Sequence, residues 1–130
     1  MNVLITGCSR GIGKCMLDNL IHEPSVKRIF ALSSNSEIIP NSEKVVKIHA
    51  DFLSEQWEEN LKKSIRDQQL NVIINNAGYL FNGNLETTSE AEIYKMYRIN
   101  YYAPLRIIQL LCSNAKEGSA HIVNIGSMGG

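Results

Sequence analysis

The sequence TGCSRGIG at residues 6–13 decides how this chain folds. It follows a compact apolar run, NVLIT at residues 2–6, which is typical of a strand buried on both faces. After it, residues 11–21 carry apolar side chains at helical spacing, which predicts a helix packed on a sheet. The glycines of this segment therefore form a tight turn between a first strand and a first helix.

Each glycine of the turn has its own physical role. Gly7 permits the tight turn, Gly11 lets the backbone approach a pyrophosphate without an intervening Cβ, and Gly13 lets the helix lie close to the strand. The N-terminus of the helix adds free N–H groups and a partial positive charge, both of which attract phosphates. A turn of this kind directly after a first strand indicates a nucleotide-binding site.

Short apolar runs and longer amphipathic segments alternate along the rest of the chain. Further strands are predicted at residues 27–32, 45–49, 71–74 and 121–125. The polar stretch at residues 33–44 predicts a loop with at most one turn of helix. Helices between apolar strands imply parallel crossover connections, so we expect a doubly wound parallel α/β sheet in one domain over residues 1–130.

Two further helices are predicted from the spacing of apolar residues. The first spans residues 54–68, with Ser54 as its N-cap. The second spans residues 89–113 and is expected to break near residues 100–104, where Pro104 suits the first turn of a new helix.

Composition excludes several classes of function. The chain has 130 residues, with 13 Lys+Arg balancing 13 Asp+Glu, so it has no general electrostatic attraction to nucleic acid or to an anionic membrane. Cys8, Cys15 and Cys112 are widely spaced, and this spacing fits neither a disulfide framework nor a zinc site. The sequence has no signal-peptide pattern and no apolar stretch long enough for a membrane span. We therefore expect a cytoplasmic protein with no metal.

Five motifs together resemble the short-chain dehydrogenase/reductase family. They are the glycine turn at residues 6–13, Asp51 after the third strand, NNAG at residues 75–78, Asn100 and Ser127. They occur in family order over nearly the whole chain. The resemblance implies an NAD(P)-binding, Rossmann-like sheet of strand order 3-2-1-4-5, truncated before strands 6 and 7. It also implies an oxidoreductase that reduces a small-molecule carbonyl or oxidises an alcohol.

The resemblance also implies which residues contact the cofactor. Asp51 would accept a hydrogen bond from the adenine amino group with Phe52 beside it, although Asp51 can equally cap a loop. The segment after the fourth strand would line the ribose on the nicotinamide side, and Asn76 can also tie that strand to its neighbours. The implied cofactor-binding residues are Gly7, Ser9, Arg10, Gly11, Ile12, Gly13, Ser33, Ser34, Asp51, Phe52, Asn76, Ala77 and Gly78.

The charge at the end of the second strand favours NADP over NAD. An Asp there would bind the ribose 2′-hydroxyl and repel a 2′-phosphate. This sequence has Ser33 and Ser34 instead, and Arg10 in the turn can pair with a phosphate. In the resembled family, a basic residue directly before the second glycine accompanies NADP. The alternative for Arg10 is a solvated loop residue.

The resemblance implies a catalytic tetrad of Asn, Ser, Tyr and Lys, of which this sequence supplies Asn100 and Ser127. Ser127 would hydrogen-bond the substrate oxygen, and Asn100 would hold a water in a proton relay. The alternative for Asn100 is a solvent-facing helix residue. The Tyr-x-x-x-Lys segment, which the family places after the serine, does not occur in this sequence.

Two explanations fit the missing segment: the N-terminal portion of a longer enzyme, or a non-catalytic NADP-binding regulatory or sensor module. The fifth strand would be an uncharged open edge if nothing followed it, which favours the longer enzyme. We therefore expect little turnover from these residues alone. A nucleotide-binding methyltransferase is a third reading, which the NNAG motif disfavours.

The helices predicted within residues 89–113 correspond to the helices that form dimers in the resembled family. Tyr94, Tyr97, Ile107 and Leu111 offer apolar side chains there, so we expect a homo-oligomer. The alternative is that these residues cover the sheet.

Overall fold

The computed structural model describes residues 1–115 and 120–127, and this part of the chain alternates strands with helices. Its strands are β1 (Asn2–Thr6), β2 (Arg28–Ser33), β3 (Val45–His49), β4 (Val72–Asn75) and β5 (His121–Asn124). Its α-helices are α1 (Gly11–His22), α2 (Gln56–Ile65), α3 (Glu90–Tyr97) and α4 (Ala103–Leu111). The predicted strands are confirmed, and the predicted loop before β3 contains one short 3₁₀ turn, Ser36–Ile38.

The strands form one parallel sheet in the order β3-β2-β1-β4-β5, which confirms the predicted topology. The order reverses beside β1, because β2 and β3 lie on one side of it and β4 and β5 on the other. Such a reversal leaves a crevice outside the carboxyl ends of β1 and β4, where open α/β sheets bind their ligands.

Two apolar layers cover the two faces of the sheet, because successive side chains of a strand point to opposite faces. Leu4 belongs to a buried cluster that includes Trp57 of α2 and Ile107 of α4. Its neighbour Ile5 belongs to a second buried cluster that includes Leu17 of α1. Helices α2 and α4 therefore cover one face, and α1 covers the other.

Helix α2 buries Trp57, Leu61 and Ile65, as its apolar spacing predicts. The prediction of Ser54 as the N-cap is wrong, because Glu55 precedes the helix. The Ser54 hydroxyl instead donates a hydrogen bond to the carbonyl oxygen of Asp51 at 3.0 Å. This serine stabilises the turn after β3, and the predicted helix bounds are too wide at both ends.

The helical segment after residue 89 continues where a break was predicted. Ser89 caps α3 by accepting the N–H of Glu92 at 3.3 Å, and a π-helical segment, Arg98–Tyr102, joins α3 to α4. Pro104 lies in the first turn of α4, as predicted. The chain therefore accommodates Asn and Pro through one widened turn rather than through a loop.

The apolar residues of this helical segment divide between two environments. Ile107 and Leu111 are buried against the sheet, so the prediction that they offer surface is wrong. Tyr94 and Tyr97 are exposed on α3, as expected of a contact surface.

Strand β5 is an edge of the described sheet, because it pairs with β4 on one side. Ile122, Val123 and Ile125 remain partly exposed there, with 47%, 39% and 42% of their surface accessible. The described residues therefore show the open apolar edge that the sequence predicts.

An ion pair joins the two helices that cover one face of the sheet. The Arg106 guanidinium donates through Nη2 to Oε2 of Glu58 at 2.7 Å and through Nε to Oε1 at 3.1 Å. These hydrogen bonds hold the pKa of Glu58 below its ordinary value. A carboxylate with a lowered pKa in the folded state stabilises the fold above its unfolded pKa, and this contribution is lost as pH falls through the folded pKa.

Replacing Glu58 with Gln is expected to lower the free energy of unfolding at pH 7 by no more than about 1 kcal/mol, because the pair is partly exposed. The difference should disappear in acid, where the parent carboxyl is protonated. Urea denaturation from pH 7 to pH 3 measures both effects. Glu59→Gln is the matched control, because Oε1 of Glu59 lies 3.9 Å from Nζ of Lys62 and the Glu59 side chain is more exposed than that of Glu58. If the loss of unfolding free energy in Glu58→Gln stayed the same from pH 7 to pH 3, the ionised Glu58 carboxylate would not be its cause.

Candidate functional site

The turn after β1 has the conformation that its glycines predict. Gly7 and Gly11 have φ values of 67° and 57°, a region that favours glycine. A Cβ on Gly7 would lie 2.7 Å from the Cα of Ala77. A Cβ on Gly13 would lie 2.2 Å from the carbonyl oxygen of Gly7 and 2.3 Å from Nδ2 of Asn76. The turn, the helix and the end of β4 thus touch through backbone atoms.

Side-chain hydrogen bonds join the end of β1 to the residues that follow β4. The Thr6 hydroxyl accepts the N–H groups of Asn76 and Ala77 at 3.0 and 2.9 Å. The Asn76 side-chain amide donates to the carbonyl oxygens of Thr6 and Gly7 at 3.0 and 3.1 Å. We call these four hydrogen bonds the Thr6–Asn76 lock. The structural role proposed for Asn76 from the sequence is present.

A cleft of about 510 Å³ opens at the carboxyl ends of the strands, within the size range of small-molecule sites. Every residue that the sequence predicts to bind the cofactor lines it. These residues are Gly7, Ser9, Arg10, Gly11, Ile12, Gly13, Ser33, Ser34, Asp51, Phe52, Asn76, Ala77 and Gly78. Placement in one cleft does not test binding, so the cofactor contacts remain predictions.

Sequence reasoning missed four residues that also line the cleft: Leu32, Ala50, Tyr79 and Ile99. Leu32, Ala50 and Tyr79 are chain neighbours of predicted residues, so adjacency is the signal that could have found them. Ile99 enters from the π-helical segment, and only its position beside Asn100 marks it in the sequence.

The cleft has one cationic and one anionic side chain among the described residues that line it, Arg10 and Asp51. Oδ1 of Asp51 accepts the N–H of Leu53 at 3.0 Å, so Asp51 caps the turn after β3 while also lining the cleft. Ser33 is buried and accepts the N–H of Asn35 at 3.0 Å, whereas Ser34 is exposed. Arg10, which follows β1, and Ser34, which follows β2, are therefore exposed polar side chains on the same side of the cleft.

The two predicted catalytic residues lie on different elements. Asn100, in the π-helical segment, accepts the N–H of Tyr79 through Oδ1 and donates through Nδ2 to its carbonyl oxygen, both at 2.8 Å. Asn100 is nevertheless exposed, so it faces solvent while its side-chain amide holds the backbone of Tyr79. Ser127 follows β5, whose extension is held by the N–H of Ile125 donating to the carbonyl oxygen of Asn75 at 2.9 Å. Asn100 is therefore tied to the segment after β4, Ser127 comes two residues after Ile125, and neither is among the residues that line the cleft.

Cys8, inside the glycine turn, is not a nucleophile candidate. Its thiol is buried and donates to the carbonyl oxygen of Leu32 at 3.3 Å. Burial raises the pKa of Cys8 to about 11, so it is a thiol at neutral pH. Its role is to hold the turn against β2.

Two other kinds of site were searched for in residues 1–115 and 120–127. No cluster of three or more His, Cys, Asp or Glu side chains there could hold a metal ion. In the same residues, no helix combines the length and the apolar character needed to cross a membrane.

The parallel sheet of order β3-β2-β1-β4-β5, the glycine turn after β1 and the flanking helices define a Rossmann-like, doubly wound α/β fold. A family model described as short chain dehydrogenase matches residues 1–130. The chain therefore belongs to the short-chain dehydrogenase family, as its motifs predict.

Individual relatives agree with this assignment. A short-chain dehydrogenase of Hypocrea virens, virD, is 30% identical over 98% of this chain and 46% of its own length. A solved short chain dehydrogenase family protein from Francisella tularensis is 28% identical, with a TM-score of 0.85, over 97% of this chain and 50% of that chain. An NADPH-bound carbonyl reductase from chicken fatty liver shares the fold, at 23% identity and a TM-score of 0.79, over 97% of this chain and 59% of that chain. The chain thus spans about half the length of the relatives it matches.

Replacing Gly13 with Ala is expected to lower the free energy of unfolding by about 1–3 kcal/mol, because the added Cβ overlaps backbone atoms of the turn. Urea denaturation followed by circular dichroism measures the loss. Gly126→Ala is the matched control, since a Cβ there meets no described atom within 4 Å. Equal stability of the two variants would show that the close approach at Gly13 is not required.

Proposed function

We propose that this chain forms the nucleotide-binding portion of an NADP(H)-dependent oxidoreductase that reduces a carbonyl or oxidises an alcohol. The observation that carries the proposal is the single cleft that gathers all the predicted cofactor-binding residues. The names of the relatives, which are dehydrogenases and oxidoreductases, favour an enzyme over a sensor module.

The shape of the glycine turn fits a bound pyrophosphate. A Cβ on Gly11 would meet no described atom within 4 Å, so this glycine borders open space rather than packed protein. The first turn of α1 directs its free N–H groups toward the same place, and they suit a phosphate. In the proposed complex, Gly11 and Ile12 hold the pyrophosphate, Asp51 and Phe52 the adenine, and Ala77 and Gly78 the nicotinamide ribose.

The preference for NADP rests on charge. Arg10 is exposed at the first turn of α1, and Ser34 is exposed after β2, where an acidic residue would repel a 2′-phosphate. A guanidinium binds a phosphate through two parallel hydrogen bonds, which a neutral side chain does not match. We therefore assign the 2′-phosphate to Arg10 and Ser34.

Carbonyl reduction needs a hydride, a proton donor and a group that hydrogen-bonds the carbonyl oxygen. NADP(H), when bound, supplies the chemistry of hydride transfer. In our proposal the Ser127 hydroxyl hydrogen-bonds the substrate oxygen, and Asn100 fixes the wall of the site through Tyr79. The family pattern assigns proton donation to a Tyr beyond Ser127, with a Lys four residues later that lowers the pKa of that Tyr. This sequence includes neither residue at that place, so we propose that the chain alone has little turnover.

Two further properties belong to the same proposal. Tyr94 and Tyr97 expose aromatic surface on α3, and Tyr101 adds to it, which supports self-association into a homo-oligomer through this helix. The three cysteines are free, which supports a reducing compartment such as the cytoplasm.

Replacing Arg10 with Gln is expected to weaken NADPH binding about tenfold while changing NADH binding less than about twofold, because only NADPH offers the 2′-phosphate. Isothermal titration calorimetry of both nucleotides measures this. Arg28→Gln, at the opposite end of β2, is the control of equal charge change. Tighter binding of NADH than of NADPH by the parent chain would overturn the cofactor assignment.

The purified chain is expected to oxidise NADPH at the background rate with any small aldehyde or ketone. The physical reason is that its sequence lacks the Tyr that donates the proton in the family pattern and the Lys that lowers the pKa of that Tyr. Loss of NADPH absorbance at 340 nm, followed with and without substrate, tests this. Substrate-dependent turnover would show that the chain carries its own proton donor, and its loss in Ser127→Ala would place that turnover at this site.

A further inference from the structure

Tyr79 has an unusual number of fixed contacts for a residue at the start of a long loop. Its phenol donates to Oε2 of Glu92 at 2.7 Å, and Nζ of Lys95 lies 3.9 Å from the centre of its ring. We call these side-chain contacts the Tyr79 brace. They connect the wall of the cleft to α3, thirteen to sixteen positions further along the chain.

The backbone of Tyr79 is held independently of its ring. Both its N–H and its carbonyl oxygen bond to the side-chain amide of Asn100, at 2.8 Å each. The following segment is much less enclosed, since Leu80 and Leu85 expose 75% and 87% of their surface. Tyr79 is therefore the last firmly held residue of the cleft wall before an exposed loop.

The two residues that contact the Tyr79 side chain, Glu92 and Lys95, lie at favourable positions in α3. Glu92 lies in the first turn of α3, where a carboxylate is favourable, and its N–H is bound by the Ser89 hydroxyl at 3.3 Å. Lys95 follows Glu92 by one helical turn, so both lie on the same side of α3. The phenol thus meets a carboxylate at its hydroxyl and an ammonium at its face, and each contact suits the charge distribution of the ring.

We propose that Tyr79 is a positioning residue for nucleotide binding. The Tyr79 brace fixes the ring against α3 and thereby sets the side-chain surface of the cleft wall at its nicotinamide end, while Thr6 and Asn100 hold the backbone of Ala77 and Tyr79. Glu92 and Lys95 act through Tyr79 and do not touch the nucleotide. This inference rests on the proposed function, because it assigns a role within the same cleft.

The two ends of the cleft make the proposal testable. NADPH occupies both ends, whereas adenosine 2′,5′-bisphosphate offers only the adenosine with its 2′- and 5′-phosphates and no nicotinamide ribose. Arg10, Ser34 and Asp51 line the cleft for this part of the ligand. A residue that positions the nicotinamide wall affects the first ligand alone. A residue that merely stabilises the chain affects both.

The experiment measures the Kd of both ligands by isothermal titration calorimetry for Tyr79→Phe, Glu92→Ala and Glu92→Gln. Tyr79→Phe keeps the ring and its Lys95 contact and removes only the hydroxyl. Glu92→Gln keeps an oxygen that accepts the phenol hydrogen, so it is the conservative rescue. Glu90→Ala is the matched control, because Glu90 is exposed in the same turn of α3. Thermal melts show that each variant is folded.

Tyr79→Phe and Glu92→Ala are expected to raise the Kd of NADPH about three- to tenfold, with Glu92→Gln and Glu90→Ala within twofold of the parent chain. The Kd of adenosine 2′,5′-bisphosphate should be unchanged throughout. An unchanged Kd for NADPH, or equal weakening of both ligands, overturns the role of Tyr79 while the proposed function stands. Failure of the parent chain to bind either ligand overturns the proposed function and this inference with it.

Discussion

The Thr6–Asn76 lock is the constraint on which the rest of this structure depends. Backbone pairing between β1 and β4 ends at Ile5 and Ile74, one residue before β1 itself ends. From there the Thr6 hydroxyl and the Asn76 amide continue the connection, with four hydrogen bonds between 2.9 and 3.1 Å. At about 1 kcal/mol for each bond, side chains stabilise the junction where the sheet no longer does. The two strand ends therefore stay together at the crevice without help from a ligand.

The three glycines of the turn are required for different reasons. Gly7 and Gly13 border backbone atoms at 2.7 and 2.2 Å from an added Cβ, so packing between the turn, α1 and residue 77 requires them whether or not a nucleotide binds. Gly11 borders open space, so packing of this chain gives no reason for it beyond its positive φ. In the complex that we propose, Gly11 is therefore the glycine whose open side faces the nucleotide. A sequence motif that weights all three glycines equally therefore combines two residues that packing requires with one that borders the open cleft.

The sequence predicted an element correctly where its local pattern is compatible with one conformation only. Apolar runs such as residues 2–6 became strands because both faces of a doubly wound sheet are buried, and Trp57 and Leu61 marked the buried side of α2. The candidate cleft residues came together because parallel strands end at one edge. Ser54 was mispredicted because its hydroxyl can either accept an N–H of the helix or donate to a carbonyl oxygen of the turn, and the turn after β3 prevailed. Competition of this kind between a helix N-cap and a turn cannot be resolved from residue type alone.

The rest depended on contacts that are distant in sequence. Asn100 and Pro104 predict a break because each disfavours a regular α-helix, but the amide of Asn100 binds Tyr79 and the chain remains helical through a π turn. The rings of Tyr97 and Tyr101 stack along this segment with their centroids 5.5 Å apart. No local pattern at Tyr79 indicates that its partners lie on the next helix. Its role becomes visible only once the fold is known.

The segment between β4 and the exposed loop is fixed at both of its ends by different parts of the fold. The Thr6–Asn76 lock holds its beginning to β1, and Asn100 holds Tyr79 to the π-helical segment. This wall of the cleft is therefore formed by the protein itself, and binding there requires little ordering of the backbone. The opposite wall differs, because Arg10, Ile12 and Ser34 are exposed side chains that a nucleotide would have to order. In the complex that we propose, the affinity for NADP(H) thus depends on a rigid nicotinamide end and on charge at an adaptable phosphate end.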